Sequence, residues 1–163
     1  MRPINRFAAI QASDRVISFI SRTGYTFGVA ERGGFRKYLS ADALDAPVGE
    51  ALVEALANSR VVTPNGKRRD FFQPQNVEKA FVEWLNDLVK KHGYASHDAA
   101  LEQMEYIRVE MAGGVIALHP YRHQGGDKWE QLVGANFTVP ENAGSEAIGA
   151  AVRMALSRCA GAA

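Results

Sequence analysis

An α+β fold, an antiparallel sheet of about six strands with helices packed on it, is predicted by three observations on this 163-residue sequence. Arg15 to Leu39 and Ile107 to Val139 each carry short β-branched and aromatic runs punctuated by glycine pairs, as sheet segments do. Helical periodicity follows each of these stretches and also fills the space between them. Finally, Val48-Gly49-Glu50-Ala51-Leu52-Val53-Glu54-Ala55-Leu56 repeats the pattern of Ile148-Gly149-Ala150-Ala151-Val152-Arg153-Met154-Ala155-Leu156 at a constant offset, 149 − 49 = 100. Alanine-rich amphipathic helices also match by chance. The order of elements repeats as well, which favours two β-β-β-α halves with a helical insert between them, in a single domain over residues 1–163.

The elements follow in order. Val16, Ile17, Phe19 and Ile20 mark a first strand within Arg15 to Arg22, Thr23-Gly24 reads as a turn, and Tyr25 to Val29 alternates as a second strand. Gly33-Gly34 is the next turn and Phe35 to Leu39 the third strand. Asp42 to Pro47 starts a helix, with Pro47 tolerated in its first turn. Val48, Ala51, Leu52, Ala55 and Leu56 share one face of it, while Glu50 and Glu54 lie opposite. Thr63 to Asp70 reads as an exposed loop. A long helix from about Pro74 to His92 carries the stripe Val77, Phe81, Trp84, Leu85 and Leu88, has Lys90 and Lys91 at its negative end and stops at Gly93. Ser96 caps a shorter helix through about Met104. Ile107, Val109 and Met111 then alternate with Arg108 and Glu110, Gly113-Gly114 turns, and Val115 to Leu118 runs back. His119 to Gly134 reads as a polar, aromatic-bearing loop before Phe137-Thr138-Val139 and the last helix.

Composition bounds the function. Apolar residues make up 47% of the chain and charged ones 23%, as in folded soluble domains. Nineteen basic and 18 acidic side chains leave a formal charge of +1, too little for a global field toward nucleic acid or an anionic membrane. A single cysteine forms no internal disulfide, and Phe7-Ala8-Ala9-Ile10 is too short for a secretory core or a membrane span. A soluble cytoplasmic protein is expected, folded throughout except for fraying at the Ala-Gly-Ala-Ala tail. Nothing in the sequence sets an oligomeric state.

No catalytic constellation stands out, so no catalytic residue, metal or cofactor is expected. The sequence has no Gly-x-Ser-x-Gly elbow and no His-Glu-x-x-His pair, and its glycine pairs lack the strand-to-helix setting of a phosphate cradle. Cys159 falls on the apolar face of the last helix and reads as a core thiol that resists alkylation. His119 and His123 read as loop histidines. Asp98/Glu102 and Glu50/Glu54 read as solvated pairs. Lys67-Arg68-Arg69 with Phe71-Phe72 mixes charge and aromatics as a single-strand RNA surface does, or is a solvated loop docked by its phenylalanines.

Two surfaces remain as candidates for protein recognition. Asp42, Asp45, Glu50 and Glu54 form an acidic stretch without Lys or Arg from Ser40 to Ser59, with a second acidic run at Asp98, Glu102 and Glu105. The segment with Tyr121, Arg122, His123, Asp127 and Trp129 holds the residue types that most often carry interface energy. Ordinary polar helix and ordinary loop are the alternatives.

Gly24-Tyr25-Thr26-Phe27-Gly28-Val29, Gly33-Gly34-Phe35, Ala55-Leu56 to Ser59-Arg60, the Trp84 helix ending at Gly93-Tyr94, Gly113-Gly114-Val115-Ile116 and above all Ile148 to Cys159 resemble CdiI-type immunity proteins of bacterial contact-dependent growth inhibition systems. The resemblance runs over most of the chain, through motifs of glycine, alanine and apolar residues. It implies a non-enzymatic cytoplasmic inhibitor whose partner is the C-terminal toxin domain of a cognate CdiA effector. Many such toxins are nucleases, some cleaving tRNA, so the inhibitor itself need not touch nucleic acid. The alternative from the residues alone is a small RNA-binding module using the Lys67-Arg68-Arg69 loop.

Overall fold

The structure, a computed structural model, describes residues 5–24, 28–30, 33–60, 74–102, 104–125 and 128–161. The elements are β1 (Arg6–Ala12), β2 (Val16–Gly24), β3 (Gly28–Ala30), β4 (Arg36–Ser40), α1 (Asp45–Ala57), α2 (Pro74–His92), α3 (His97–Glu102), β5 (Glu105–Ala112), β6 (Val115–Gly125), β7 (Lys128–Gln131), β8 (Phe137–Pro140) and α4 (Ser145–Gly161). All strand pairs are antiparallel. The order is β3-β2-β1-β5-β6-β7, with β4 also on β2 and β8 also on β6. The six expected strands are all present, and β1 and β7 join them.

The echo between the halves is a repeated topology. Strand β2 pairs β1 on one side and, on the other, β4 along Val16 to Ile20 and β3 along Arg22 to Gly24. Strand β6 pairs β5 on one side and, on the other, β8 along Val115 to Leu118 and β7 along Tyr121 to Gly125. The pairs Ile17/Leu39 and Ile116/Val139 correspond at offsets of 99 (116 − 17) and 100 (139 − 39). The two units join through β1 and β5, whose register runs from Arg6 opposite Met111 to Ala12 opposite Glu105.

Helix α1 packs on β1, β2 and β4, and α4 packs on β5, β6 and β8. Both lie on one face of the sheet, over Ala8, Ile10, Ile17, Phe19, Ile107, Val109, Ile116 and Leu118. Leu52 and Leu56 are almost completely buried there, each worth roughly 1.5–3 kcal/mol. The helices meet at the two glycines of the echo. A Cβ on Gly49 would stand 1.8 Å from the Ser145 carbonyl oxygen, and one on Gly149 would stand 1.8 Å from the Asp45 carbonyl oxygen. No side chain fits at either position.

The insert of α2 and α3 covers part of the opposite face, where Trp84, Leu85, Leu88, Ala100 and Leu101 pack on Ala9, Val16, Ile20 and Tyr106. The Trp84 Nε1–H donates to Ser18 Oγ at 3.1 Å, pairing the polar end of the largest buried side chain. Arg36 of β4 bridges Glu83 and Asp87 of α2 at 3.2 and 3.3 Å, and the Tyr38 hydroxyl donates to Asp87 Oδ2 at 2.7 Å. Gly93, at φ +74°, ends α2 as expected, and Ser96 Oγ accepts the Ala99 N–H at 3.1 Å to start α3.

One strand was not expected, and two readings of the sequence are corrected. Phe7 to Ala12 is a central strand; buried on both faces, it shows the continuous apolar run of an interior strand rather than alternation. Thr23 and Gly24 belong to β2, opposite Val29 and Gly28, rather than to a turn. Most of the expected loop from His119 to Gly134 is the β6–β7 hairpin. Pro120 is tolerated there because it sits where the outer partner of β6 changes from β8 to β7, and its carbonyl accepts the Leu132 N–H at 3.0 Å. The tight link from β5 to β6 is Gly113-Gly114, both at positive φ (58° and 79°), as a two-residue hairpin turn requires.

Gly49→Ala tests the helix contact. In an open helix the change would stabilise by about 1 kcal/mol; against the Ser145 backbone it should cost about 3 kcal/mol, a fall in Tm on the order of 10 °C in a thermal melt. Gly149→Ala should behave alike. The double variant should lose less than the two single losses combined, since both force the same two helices apart.

Candidate functional site

The recognition residues expected from the sequence divide between the two faces of the sheet. On the acidic side, α1 presents Glu50 and Glu54 to solvent, but the stretch is not free of cations in space. Lys37 of β4 lies 3.0 Å from Glu54 Oε2, and Arg153 of α4 lies 3.9 Å from Asp45 Oδ1. The Asp42 carboxylate accepts a hydrogen bond from the Ser40 hydroxyl. The Lys37–Glu54 pair is 41% and 48% exposed, so it contributes at most about 1 kcal/mol and is open to competition by a partner. Arg153 does more: its guanidinium donates to the Ala41 and Ala43 carbonyls and so ties α4 to the segment entering α1.

On the other side, alternation along β6 separates neighbours in sequence. Tyr121 and His123 point to the face that carries Trp84, and Arg122 to the face that carries α4. Trp129 of β7 stands opposite His123, with ring centroids 5.3 Å apart. Tyr106 joins them, 4.8 Å from the Tyr121 ring and 5.8 Å from the Trp129 ring, and the Trp129 Nε1–H donates to the Met104 carbonyl at 3.4 Å. The structure therefore assembles Tyr121, His123 and Trp129 and sends Arg122 elsewhere. Asp127 lies outside the described residues, as do Lys67-Arg68-Arg69 and Phe71-Phe72.

This aromatic group borders a cavity of about 720 Å³ between the sheet and the N-terminal half of α2. Its walls include Arg22, Arg36, Phe81, Trp84, Tyr106 and Trp129, a mixture of planar apolar surface and fixed charge. Arg22 Nη1 donates to the Tyr106 hydroxyl at 2.6 Å, and its guanidinium stacks over that ring at 5.2 Å. Beside it on the same sheet face are Arg108, Glu110 and His119, with His119 Nε2 at 3.1 Å from Glu110 Oε1. Sequence reasoning noted Arg108 and Glu110 as polar positions alternating with Ile107, Val109 and Met111. Such alternation marks a sheet face free to meet solvent or a partner, and that was the available clue.

Cys159 packs as a core thiol. It is 8% exposed, its Sγ donates to the Tyr106 carbonyl at 3.6 Å, and burial pushes its pKa up to about 11. Glu105, at the start of β5, also has its pKa raised by burial.

The fold is shared with solved proteins. NMB0488, a protein of unknown function from Neisseria meningitidis, superposes with a TM-score of 0.91 at 22% identity, covering 98% of each chain. A chain of the CdiA-CT/CdiI toxin and immunity complex from Yersinia pseudotuberculosis superposes with a TM-score of 0.87 at 24% identity, over 95% of this chain and 97% of that one. These likenesses define the class as a two-unit α+β domain. The family follows from sequence: residues 6–159 match the model of CdiI, the CDI immunity protein, and the chain belongs to that family. A further relative, immunity protein CdiI-YPIII of Yersinia pseudotuberculosis serotype O:3 (strain YPIII), is 25% identical over 169 residues, covering 95% of this chain and 96% of the relative.

Two measurements check the buried groups. Alkylation of Cys159 by iodoacetamide at mildly alkaline pH should run on the order of 100-fold slower in native protein than in urea, following the loss of thiolate. The raised pKa of Glu105 means that the folded state binds its proton more tightly. Its contribution to stability therefore falls as pH rises from 4.5 through the folded value. Glu105→Gln should raise Tm at neutral pH and give no gain in acid.

Proposed function

We propose that this chain is the immunity protein of a contact-dependent growth inhibition system, acting in the cytoplasm by binding and neutralising the C-terminal toxin domain of a cognate CdiA effector. The observation that carries the reading is the family match over residues 6–159, nearly the whole domain. The likeness to a chain of a toxin and immunity complex supports it. Inhibition is stoichiometric: a preformed surface docks on the toxin and covers its active site or displaces its substrate, with no chemistry required of the inhibitor.

The surface we assign first is the aromatic side, Tyr121, His123 and Trp129 at the rim of the cavity. It combines concavity with large, ordered side chains that lose little entropy on binding. The outer face of α1, with Asp42, Asp45, Glu50 and Glu54, is the second contact, suited to a basic partner that takes Glu54 from Lys37. Arg122 and Asp127 complete the proposed set. An acidic second contact fits the finer reading that the toxin is a nuclease, tRNA being one substrate, since nuclease clefts carry cations for phosphate.

Co-expression with a cognate CdiA-CT domain should restore growth of toxin-expressing cells, and purified toxin should lose its activity on tRNA at one equivalent of inhibitor. Trp129→Ala, verified as folded by thermal melting, should weaken toxin binding by at least about 30-fold. Glu50→Lys with Glu54→Lys should mainly slow association, by roughly tenfold at low salt. Full protection by the folded Trp129→Ala variant, with loss confined to the charge reversals, would move the interface to α1.

A further inference from the structure

Glu78 of α2 is the acid in the cavity wall, but on the sheet face that runs on from that wall two arginines stand without a carboxylate partner among the described residues. In the register of the sheet, Arg22, Phe7 and Glu110 form one row across β2, β1 and β5. Ile20, Ala9, Arg108 and His119 form the next, across β2, β1, β5 and β6. Residues paired across antiparallel strands share a face, so Arg22 and Arg108 stand on one surface in adjacent rows, with Phe7 and Ala9 of β1 between them. Tyr106, two residues before Arg108 on β5, lies on that face as well.

Arg22 donates to the Tyr106 hydroxyl and stacks on its ring, both uncharged contacts, and Arg108 forms no hydrogen bond or ion pair among the described residues. Both Nε atoms are shielded from solvent without an acceptor. The nearest acid in these rows, Glu110, is engaged by His119, whose own Nδ1 is also shielded without a partner. Arg36, paired with Ile20 in the second row, shows the contrast, held by both Glu83 and Asp87. A half-buried guanidinium without a counter-charge is costly to the free protein, and its planar donor fork matches a carboxylate.

We propose that Arg22 and Arg108 form a receptor for an acidic side chain of the toxin, an Asp or Glu carboxylate that docks on this sheet face beside the cavity and takes the donors left open there. This rests on the reading of the chain as an immunity protein. A protein carboxylate fits better than nucleic-acid phosphate because the chain, at +1, supplies no field to gather a polyanion. Recognition is then specific by charge as well as shape, since a toxin presenting Lys, Arg or an apolar residue at that point would leave both guanidiniums desolvated and unpaired.

The test is calorimetric titration of the purified cognate CdiA-CT domain into wild type, Arg108→Gln, Arg108→Lys and Arg22→Gln, with thermal melts of each. Arg108→Gln should bind at least about 30-fold more weakly while melting at or above the wild-type temperature, and Arg108→Lys should fall between. One Asp→Asn or Glu→Gln change in the toxin should cost a similar factor and add nothing on top of Arg108→Gln. Binding of folded Arg108→Gln within threefold of wild type overturns the receptor and leaves the immunity reading standing. So does a lowered melting temperature in Arg108→Gln, which makes Arg108 structural. So does salt-sensitive RNA binding that depends on Arg108 while toxin binding does not. Failure of wild type to bind the toxin at all overturns both.

Discussion

The contact on which the structure depends is the meeting of α1 and α4 at Gly49 and Gly149. Each glycine lies against the first-turn backbone of the other helix, and any side chain at either position would overlap a carbonyl oxygen. Because the helices approach so closely, the residues beneath them can be small. Ala8, Ala51, Ala55 and Ala155 are fully buried in the same core as Leu52, Ile107 and Val152. That thin layer lies over the β1–β5 pairing, which joins the two halves of the sheet. A wider helix pair would leave voids over those alanines, and voids are costly in a close-packed interior.

Around this contact the chain is nearly symmetric, and its departures from symmetry coincide with the candidate functional surfaces. The insert α2–α3 covers the outer face over β1, β2 and β4, and the cavity forms where this cover meets the sheet. At the position equivalent to Glu54 of α1, α4 carries Met154, so the outer faces of the two helices also differ in charge. The repeated units supply a stiff frame. The parts that break the repeat supply the cavity, the aromatic rim and the acidic face.

Much of this fold was legible in the sequence because its periodicities are local. The apolar stripe of α1 was read residue for residue, and the limits of α2 at Pro74 and Gly93 follow from proline and glycine chemistry. Strand β1 was not legible, since a strand buried on both faces shows no alternation and reads as a short apolar run. The second half of β6, and β7 with it, was hidden by a polar run that contains Pro120, whose tolerance depends on a change of partner that only the sheet reveals. The site was less legible than the fold. Tyr121, Arg122 and His123 are adjacent in sequence but divide between two faces. Arg22 and Arg108 are distant in sequence and come to adjacent rows of one sheet face only through β1. The acidic stretch of α1 looks unopposed until Lys37 and Arg153 are brought to it from other elements.

The central place of β1 has a consequence for how the protein is made. Strand β2 can pair with β1 as soon as both have emerged, but the other edge of β1 waits for Glu105–Ala112, almost 100 residues later. At roughly 5–20 residues per second, the apolar edge from Phe7 to Ala12 stays open on each nascent chain for at least several seconds. An open apolar edge is a template for another strand. When ribosomes follow one another closely on a message, the first halves of neighbouring chains are the nearest competitors for that edge, and crowding on the message sets the risk of mispairing.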